Sequence, residues 1–490
     1  MHLRELPDIR SRRDPAVLCI ADDATDLTNA QFADAVRRGA GALRAHGVGP
    51  GDVVAVMLPN TVALVTTFFA AWRLGAAVTP VNPAMTPAEV TYQVGDAAAR
   101  VLVVAEHTRP EVPGPVAVTA AELNSYPEPA DSPSPASGTE LALLVYTSGT
   151  TGRPKGVMLD HANLNAMCAM MIDAFALTAA DHSLLILPLF HVNGIVVSAL
   201  SPLLAGGRAT IAGRFSPATF FGRLERSGAT YFSAVPAIYT MLTDLPADVR
   251  PDTSAVRFAV CGAAPASVEL LDRFETRYGI PIVEGYGLSE GTCASAANPL
   301  YGKRKPGTVG LPLAGQQIRI ADAAGAAVAD GETGEVLIQG PNVMRGYLNR
   351  PEETARTVVN GWLHTGDIGR FDDDGYLVLV DRAKDMIIRG GENIYPKEIE
   401  AAVYRLSGVA EAAVVGRPSA VYGEEPVLFV ALSPGVALTP DGILGHLRMH
   451  LAKYKLPVAI TILDELPRNS VGKHHKPTLR ELAAVSAPVA

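Results

Sequence analysis

The sequence predicts an α/β protein: a large N-terminal domain of βα-rich subdomains, a β-rich subdomain, and a small α+β domain at the C-terminal end. Three observations carry that expectation. Apolar runs of strand length alternate with segments of helical spacing from Thr28 to Glu284, as in a parallel sheet with helices on both faces. From about Lys305 to Val380 the texture changes to short strands punctuated by glycine and aspartate. The 490 residues, 48% of them hydrophobic, also exceed what one ordinary core needs.

The elements follow in order. Thr28 with Gln31 reads as a capping box, and Phe32, Val36, Ala40 and Leu43 continue at helical spacing. A strand at residues 52–58, a helix at 62–74, a strand at 76–81, a helix at 88–94 and a strand at 100–104 extend the alternation. Residues 106–139 then dissolve into Pro, Ser, Ala and Glu, the composition of a surface connection without a core element. Leu141 to Val145 read as a strand buried on both faces, and a helical pattern starts at His161. Further on come a strand at 184–187, an apolar helix from Ile195, a strand at 209–211, a helix at 217–226, strands at 231–235 and 258–261, a helix at 268–278 and a strand at 282–284. Beyond Lys384 a strand, a helix at 396–406, strands at 411–415 and 427–432, a helix at 442–451 and a strand around Ile460 suffice for a separate lobe.

Between the buried strand and the His161 helix lies a segment whose composition calls for a ligand. Tyr146 to Gly156 hold five hydroxyl side chains, three glycines and Lys155. Glycines let backbone N–H groups turn inward, hydroxyls donate hydrogen bonds and the lysine adds charge, a set that suits a polyphosphate. A solvated Ser/Thr/Gly turn has the same composition. The Walker A spacing is not met, because Lys155 is followed by Gly156 instead of Ser or Thr.

Bulk properties exclude several classes. Net charge is −9 and no lysine- and arginine-rich run forms a basic stripe, so nucleic acid is not an expected partner. Cys19, Cys168, Cys261 and Cys293 are far apart and form no CxxC pair, which argues for reduced thiols in the cytoplasm over a disulfide framework or zinc site. The N-terminal residues lack the apolar core of a signal peptide, and no apolar stretch reaches the about 20 residues needed to span a bilayer.

Five further segments stand in a recognisable order: Tyr286-Gly287-Leu288-Ser289-Glu290, Gly361 to Asp367, Asp381-Arg382-Ala383-Lys384-Asp385, Gly390 to Pro396, and Pro467 to Lys473. With the Ser/Thr/Gly loop they resemble the collinear motifs of the adenylate-forming superfamily, specifically its acyl-CoA synthetase branch, from about residue 10 to the C-terminus. The resemblance implies a reaction in which a carboxylate attacks the α-phosphorus of ATP, pyrophosphate leaves and a thiol captures the acyl-adenylate. A carboxylate is already ionised near neutral pH, so the first step needs positioning and charge neutralisation, not a general base. The implied cofactors and co-substrates are ATP, Mg²⁺ and coenzyme A; an acyl carrier protein is an alternative acceptor. The implied domains are an AMP- and acyl-binding domain over residues 1–381 and a mobile C-terminal domain over 382–490, hinged near Lys384.

Residue by residue, the resemblance assigns the phosphates to Thr147, Ser148, Gly149, Thr150, Thr151, Gly152 and Lys155. It puts Tyr286 beside adenine, counts Gly287 among the nucleotide-binding residues, and puts Ser289 near the α-phosphate and Glu290 on Mg²⁺, a hard cation suited to carboxylate oxygen. Asp367 would accept from the ribose hydroxyls with Arg382 beside it, Gly390 and Gly391 would approach the pantetheine, and Lys473 would bridge carboxylate and α-phosphate. Taken singly these residues read as turn glycines, turn hydroxyls and surface charges. After Lys473 the sequence departs from the family pattern with His474-His475-Lys476-Pro477.

The acyl pocket is assigned to His191, Val192, Asn193, Val235, Gly262, Ala263 and Gly285, with His191 gating carboxylate entry. Cys261 reads as a small wall residue, since nothing nearby in sequence would lower its pKa. Malonate-activating relatives carry arginine where this chain has Gly285, which leaves a second buried carboxylate without a partner. The expected substrate is therefore a monocarboxylic, fatty acid; an aromatic or dicarboxylic acid is the alternative.

Overall fold

The computed structural model describes residues 3–106, 112–127, 138–147, 154–263, 266–322, 324–382, 385–389, 392–419, 421–468 and 474–485. The chain divides into two compact units, Met1–Ile318 with Leu337–His364, and Arg319–Val336 with Thr365–Ala490. Among the described residues no helix is long and apolar enough to cross a membrane.

The first unit is built on two large sheets. The seven-stranded sheet runs in the order Gly346–Tyr347, Lys155–Asp160, Leu141–Thr147, Ala77–Pro80, Val53–Met57, Val101–Val104 and Val116–Thr119. Every residue of Val53–Met57 is buried, as a central strand of a covered sheet requires. The helix Val62–Arg73 lies against it, and Trp72 of that helix donates its indole N–H to the Ala142 carbonyl at 2.8 Å. Phe69 meets Trp72 and Phe32 edge-on at 5.1 and 5.4 Å, tying in the helix Asn29–Ala45. Such fully buried aromatic side chains each contribute about 1.5–3 kcal/mol of burial free energy. The capping box at Thr28 is present: its hydroxyl accepts from the Gln31 N–H at 3.3 Å and Gln31 Oε1 accepts from the Thr28 N–H at 2.9 Å.

The nine-stranded sheet runs Leu311–Pro312, Ala296–Ala297, Ile282–Tyr286, Phe258–Cys261, Tyr231–Ala234, His182–Leu185, Arg208–Ile211, Leu18–Ala21 and Asp26–Thr28. Its six inner strands are parallel, and one face packs on helices through Phe220, Phe232, Tyr239, Leu242 and Phe274.

Three sequence expectations are corrected and one helix is added. The sheets are mixed, because antiparallel strands close their edges. The segment before His161 is not all loop: Lys155–Asp160 is a strand returning antiparallel to Leu141–Thr147, with Val157 and Leu159 buried at alternate positions. The Pro/Ser-rich connection does contain core elements, the strand Val116–Thr119 and the helix Ala120–Ser125, whose capping box is Thr119 with Glu122. A helix Pro236–Thr243, started by a proline at its first turn, follows Val235 directly.

The second unit carries residues 365–371 of the strand Trp362–Phe371, which pair antiparallel with Leu377–Arg382, Asp367 opposite Arg382. It also holds a five-stranded sheet in which Gly423–Leu432 pairs with Val409–Ser419, Ile387–Arg389 and Ala459–Leu463. Alternate residues of its strands serve two cores. Val414, Leu428 and Val430 face Ile399, Val403, Ile443 and Leu447, whereas Ala413, Val415, Val427 and Phe429 face Leu479 and Ala483 of the last helix, Lys476–Val485. That helix forms despite the departure at His474-His475, because Pro477 falls in its first turn and His475 Nδ1 lies 2.7 Å from the Thr478 hydroxyl.

Candidate functional site

Ligands of parallel sheets bind beyond the carboxyl ends of the strands, since there the loops diverge and helix N-termini point. In the nine-stranded sheet, four adjacent strands end at Tyr286, Cys261, Ala234 and Leu185. Gly285, Gly262 and Ala263, Val235, and the loop carrying His191, Val192 and Asn193 lie at or just past those ends, so the fold brings together all the residues assigned to an acyl pocket. Asn193 Oδ1 accepts from the Ser233 hydroxyl at 2.8 Å, and the Gly262 Cα faces the Asn193 amide and the Gly285 carbonyl without crowding. His191 is half-buried, its ring centroid 4.7 Å from that of Phe190. The segment that follows, Gly194–Leu200, is π-helical and wholly buried, a distortion common at functional sites.

Two acidic groups of this sheet, the partly buried Glu284 and the buried Cys261, are shifted upward. Burial, with Glu275 nearby, pushes the Glu284 carboxyl up to about 8. Burial likewise raises the Cys261 thiol, which suits a wall residue and not a nucleophile.

Thr147 and Lys155, assigned from sequence to a phosphate loop, are paired directly across the antiparallel hairpin, so the two ends of the segment between them are fixed side by side. Ser148, Gly149, Thr150, Thr151 and Gly152 lie outside the described residues. Lys155 Nζ pairs with the Glu353 carboxylate and sits 5.1 Å from the centroid of the Tyr347 ring. The Tyr347 hydroxyl donates to Glu290 Oε1 at 2.9 Å, so one side chain touches both the lysine of the loop and the carboxylate of the Tyr286–Glu290 motif. Burial first, and the Glu290 charge second, raise the Tyr347 pKa.

Local backbone explains how Glu290 arrives there. Strand Ile282–Tyr286 ends at Tyr286, and Ser289–Gly291 form one 3₁₀ turn closed by Thr292 in the left-handed region at φ 67°. A side chain at Gly287 would collide with the Cys293 carbonyl and come within 2.6 Å of Ala294 Cα, so only glycine lets the two segments touch. The Glu290 carbonyl accepts from the Met344 N–H at 2.8 Å, and the Asn342 amide donates to the Gly291 carbonyl at 3.1 Å. The next residues, Gly346–Tyr347, join the other sheet beside Met158 and Val157.

In the second unit Asp367 is 6% exposed and its N–H donates to the Thr365 hydroxyl at 3.0 Å. The backbone of Arg382 is opposite it. Lys384, Gly390, Gly391 and Lys473 lie outside the described residues.

Sequence reasoning passed over Tyr347, Glu353 and Asn60. Asn60 donates to the Leu187 carbonyl at 2.9 Å and accepts from the Leu189 N–H at 3.0 Å, holding the loop that leads to His191. The run Gly346-Tyr347-Leu348-Asn349-Arg350-Pro351 does signal a turn before a helix, but nothing local to it points at Glu290, 57 positions earlier.

As to metal, among the described residues no group of three or more His, Cys, Asp or Glu side chains could hold an ion. Glu290 as one carboxylate donor fits Mg²⁺, which commonly takes one or two protein carboxylates and completes its shell with phosphate and water.

Two mainly parallel sheets, followed along the chain by a compact α+β unit, define the α/β architecture of adenylate-forming enzymes. The sequence model of the AMP-binding enzyme family matches residues 8–348, and that of the AMP-binding enzyme C-terminal domain matches residues 398–473. A feruloyl-CoA synthase of Amycolatopsis sp is 36% identical over 484 residues, covering 97% of each chain. An oxalate–CoA ligase of Arabidopsis thaliana is 37% identical over 473 residues, 91% of this chain and 92% of its own. Among solved structures, ATP-bound MatB from Rhodopseudomonas palustris superposes with a TM-score of 0.93 at 31% identity, covering 99% of each chain. The chain belongs to the AMP-binding enzyme family.

Proposed function

We propose that this protein is an AMP-forming acid–thiol ligase: it joins a carboxylic acid to ATP as an acyl-adenylate, then transfers the acyl group to coenzyme A. In the first step a carboxylate oxygen bonds to the α-phosphorus and the bond to pyrophosphate breaks. In the second the coenzyme A sulfur bonds to the acyl carbon, AMP leaves and the thiol proton is released. The observation that carries this reading is the joining of Lys155 and Glu290 through Tyr347, with Glu290 four residues past the end of a strand beside which three successive strands end at Cys261, Ala234 and Leu185.

In this reading Lys155 and the Thr147–Gly152 loop bind the β- and γ-phosphates, and Tyr286 packs on adenine. Asp367 holds the ribose, and Lys473 stabilises charge between carboxylate and α-phosphate. Glu290 would hold Mg²⁺, which would supply neutralisation of the phosphate charge. His191 and Asn193 line the entry to the acyl pocket. The hinge at Lys384, between domains of residues 1–381 and 382–490, carries the change from adenylation to thioester formation, with Gly390 and Gly391 along the pantetheine. The substrate is a monocarboxylic acid, because Gly285 supplies no cation for a second carboxylate. A fatty acid suits the small lining residues. An aromatic acid is the second reading, favoured by the feruloyl-CoA synthase relative and by the hydrogen-bonded Asn193–Ser233 pair beside Gly262.

Acid-dependent exchange of labelled pyrophosphate into ATP, without coenzyme A, tests the first step. The wild-type protein should catalyse it, and Lys473→Ala should lose on the order of 10²–10³-fold, as when a charge-stabilising donor is removed. Exchange at the wild-type rate in K473A removes the assignment of Lys473.

A further inference from the structure

Tyr347 is not among the residues assigned to substrate or metal, yet it is the side chain on which the two phosphate-facing motifs meet. The residue is 8% exposed, its hydroxyl donates to Glu290 Oε1 at 2.9 Å, and the Lys155 ammonium lies 5.1 Å from its ring centroid. The surrounding backbone holds it with little freedom. Tyr347 pairs with Val157, two residues beyond Lys155, and its N–H donates to the Thr354 hydroxyl at 2.8 Å. Gly346, at φ 139°, lets the chain press on Thr354, where any side chain would collide. Two residues before it, the Met344 N–H binds the Glu290 carbonyl.

The carboxylate of Glu290 is thus held at its backbone and at one oxygen by the same short segment. A carboxylate has two oxygens and free rotation about its last bond; a hydrogen bond to one oxygen leaves the other aimed in a fixed direction. We infer that Tyr347 is a positioning residue: its hydroxyl orients Glu290 for the metal–nucleotide complex, while its ring sets Lys155 at a fixed distance from that carboxylate. The inference rests on the proposed role of Glu290 as metal ligand.

The experiment compares binding of Mn²⁺–ATP, followed by the electron paramagnetic resonance of bound Mn²⁺, with binding of metal-free ATP in chelator, followed by calorimetry. Four proteins are measured: wild type, Tyr347→Phe, Glu290→Gln and the double variant. Y347F keeps the ring under Lys155 and removes only the hydroxyl. It should bind Mn²⁺–ATP about tenfold more weakly, the usual cost of losing a group that orients a metal ligand. Metal-free ATP should bind as in the wild type, and the double variant should be no weaker than E290Q. Equal weakening of both nucleotide forms in Y347F would mean a structural role and overturn the inference. So would additive losses in the double variant, or wild-type Mn²⁺–ATP affinity in Y347F while E290Q is impaired. Wild-type affinity in E290Q itself would instead overturn the reading of Glu290 as a metal ligand, and with it this inference.

Discussion

Glu284 lies next to Gly285 on the strand Ile282–Tyr286, and its environment carries a measurable cost. Its carboxyl is raised from 4.5 to about 8, first by burial and second by Glu275, whose own oxygens accept from the Ile282 N–H and the Arg304 guanidinium. The unfolded chain releases this proton near its ordinary value. Between about 4.5 and 8 the native state therefore binds more protons than the unfolded state, so this group's contribution to stability falls as pH rises through that window and is level above it. Glu284→Gln keeps the shape and removes the ionisation. The unfolding free energy of E284Q minus that of the wild type should rise between those pH values in urea titrations; a difference independent of pH would contradict the assignment.

At the scale of elements, the turn from Tyr286 to Thr292 illustrates how a motif is held. Gly287 touches the Cys293 backbone, and the Ser295 N–H donates to the Tyr286 carbonyl at 2.7 Å, so the chain doubles back on itself with no space for a methyl group. Gly287→Ala should cost about 1–3 kcal/mol, the range for forced overpacking, read as a lower urea midpoint at constant slope. An unchanged midpoint would show that the turn relaxes freely. This motif was legible because its glycine, hydroxyl and acid sit together in sequence. The strand Lys155–Asp160 was not: its period of two is short, and the loop composition ahead of it dominates the same window. Equally, the Val116–Thr119 strand sits inside a Pro- and Ser-rich stretch, and its parallel pairing with Val101–Val104 is what makes it a strand. Long-range pairing leaves little mark on local composition.

For the whole molecule, alternation of strand and helix gave the α/β class correctly, because period and apolar run length are local properties. The collinear motifs led to the family that the match over residues 8–348 establishes. What sequence could not supply was convergence: that four strand ends would collect Asn193, Val235, Gly262 and Gly285, or that Tyr347 would reach Glu290 while Lys155 lies over its ring. Those are consequences of strand order and register. They are also why the family's varied ligases can share one frame, since pocket residues on separate strand ends change without disturbing the sheets.

The overall reaction can be read in a single assay. Mass spectrometry of products after incubation with Mg-ATP, coenzyme A and a panel of linear, aromatic and dicarboxylic acids tests it most directly. An acyl-CoA should form from a monocarboxylic acid, with one AMP and one pyrophosphate for each thioester. ADP and phosphate in place of AMP and pyrophosphate would contradict it, as would an acyl-adenylate that accumulates while coenzyme A stays unmodified.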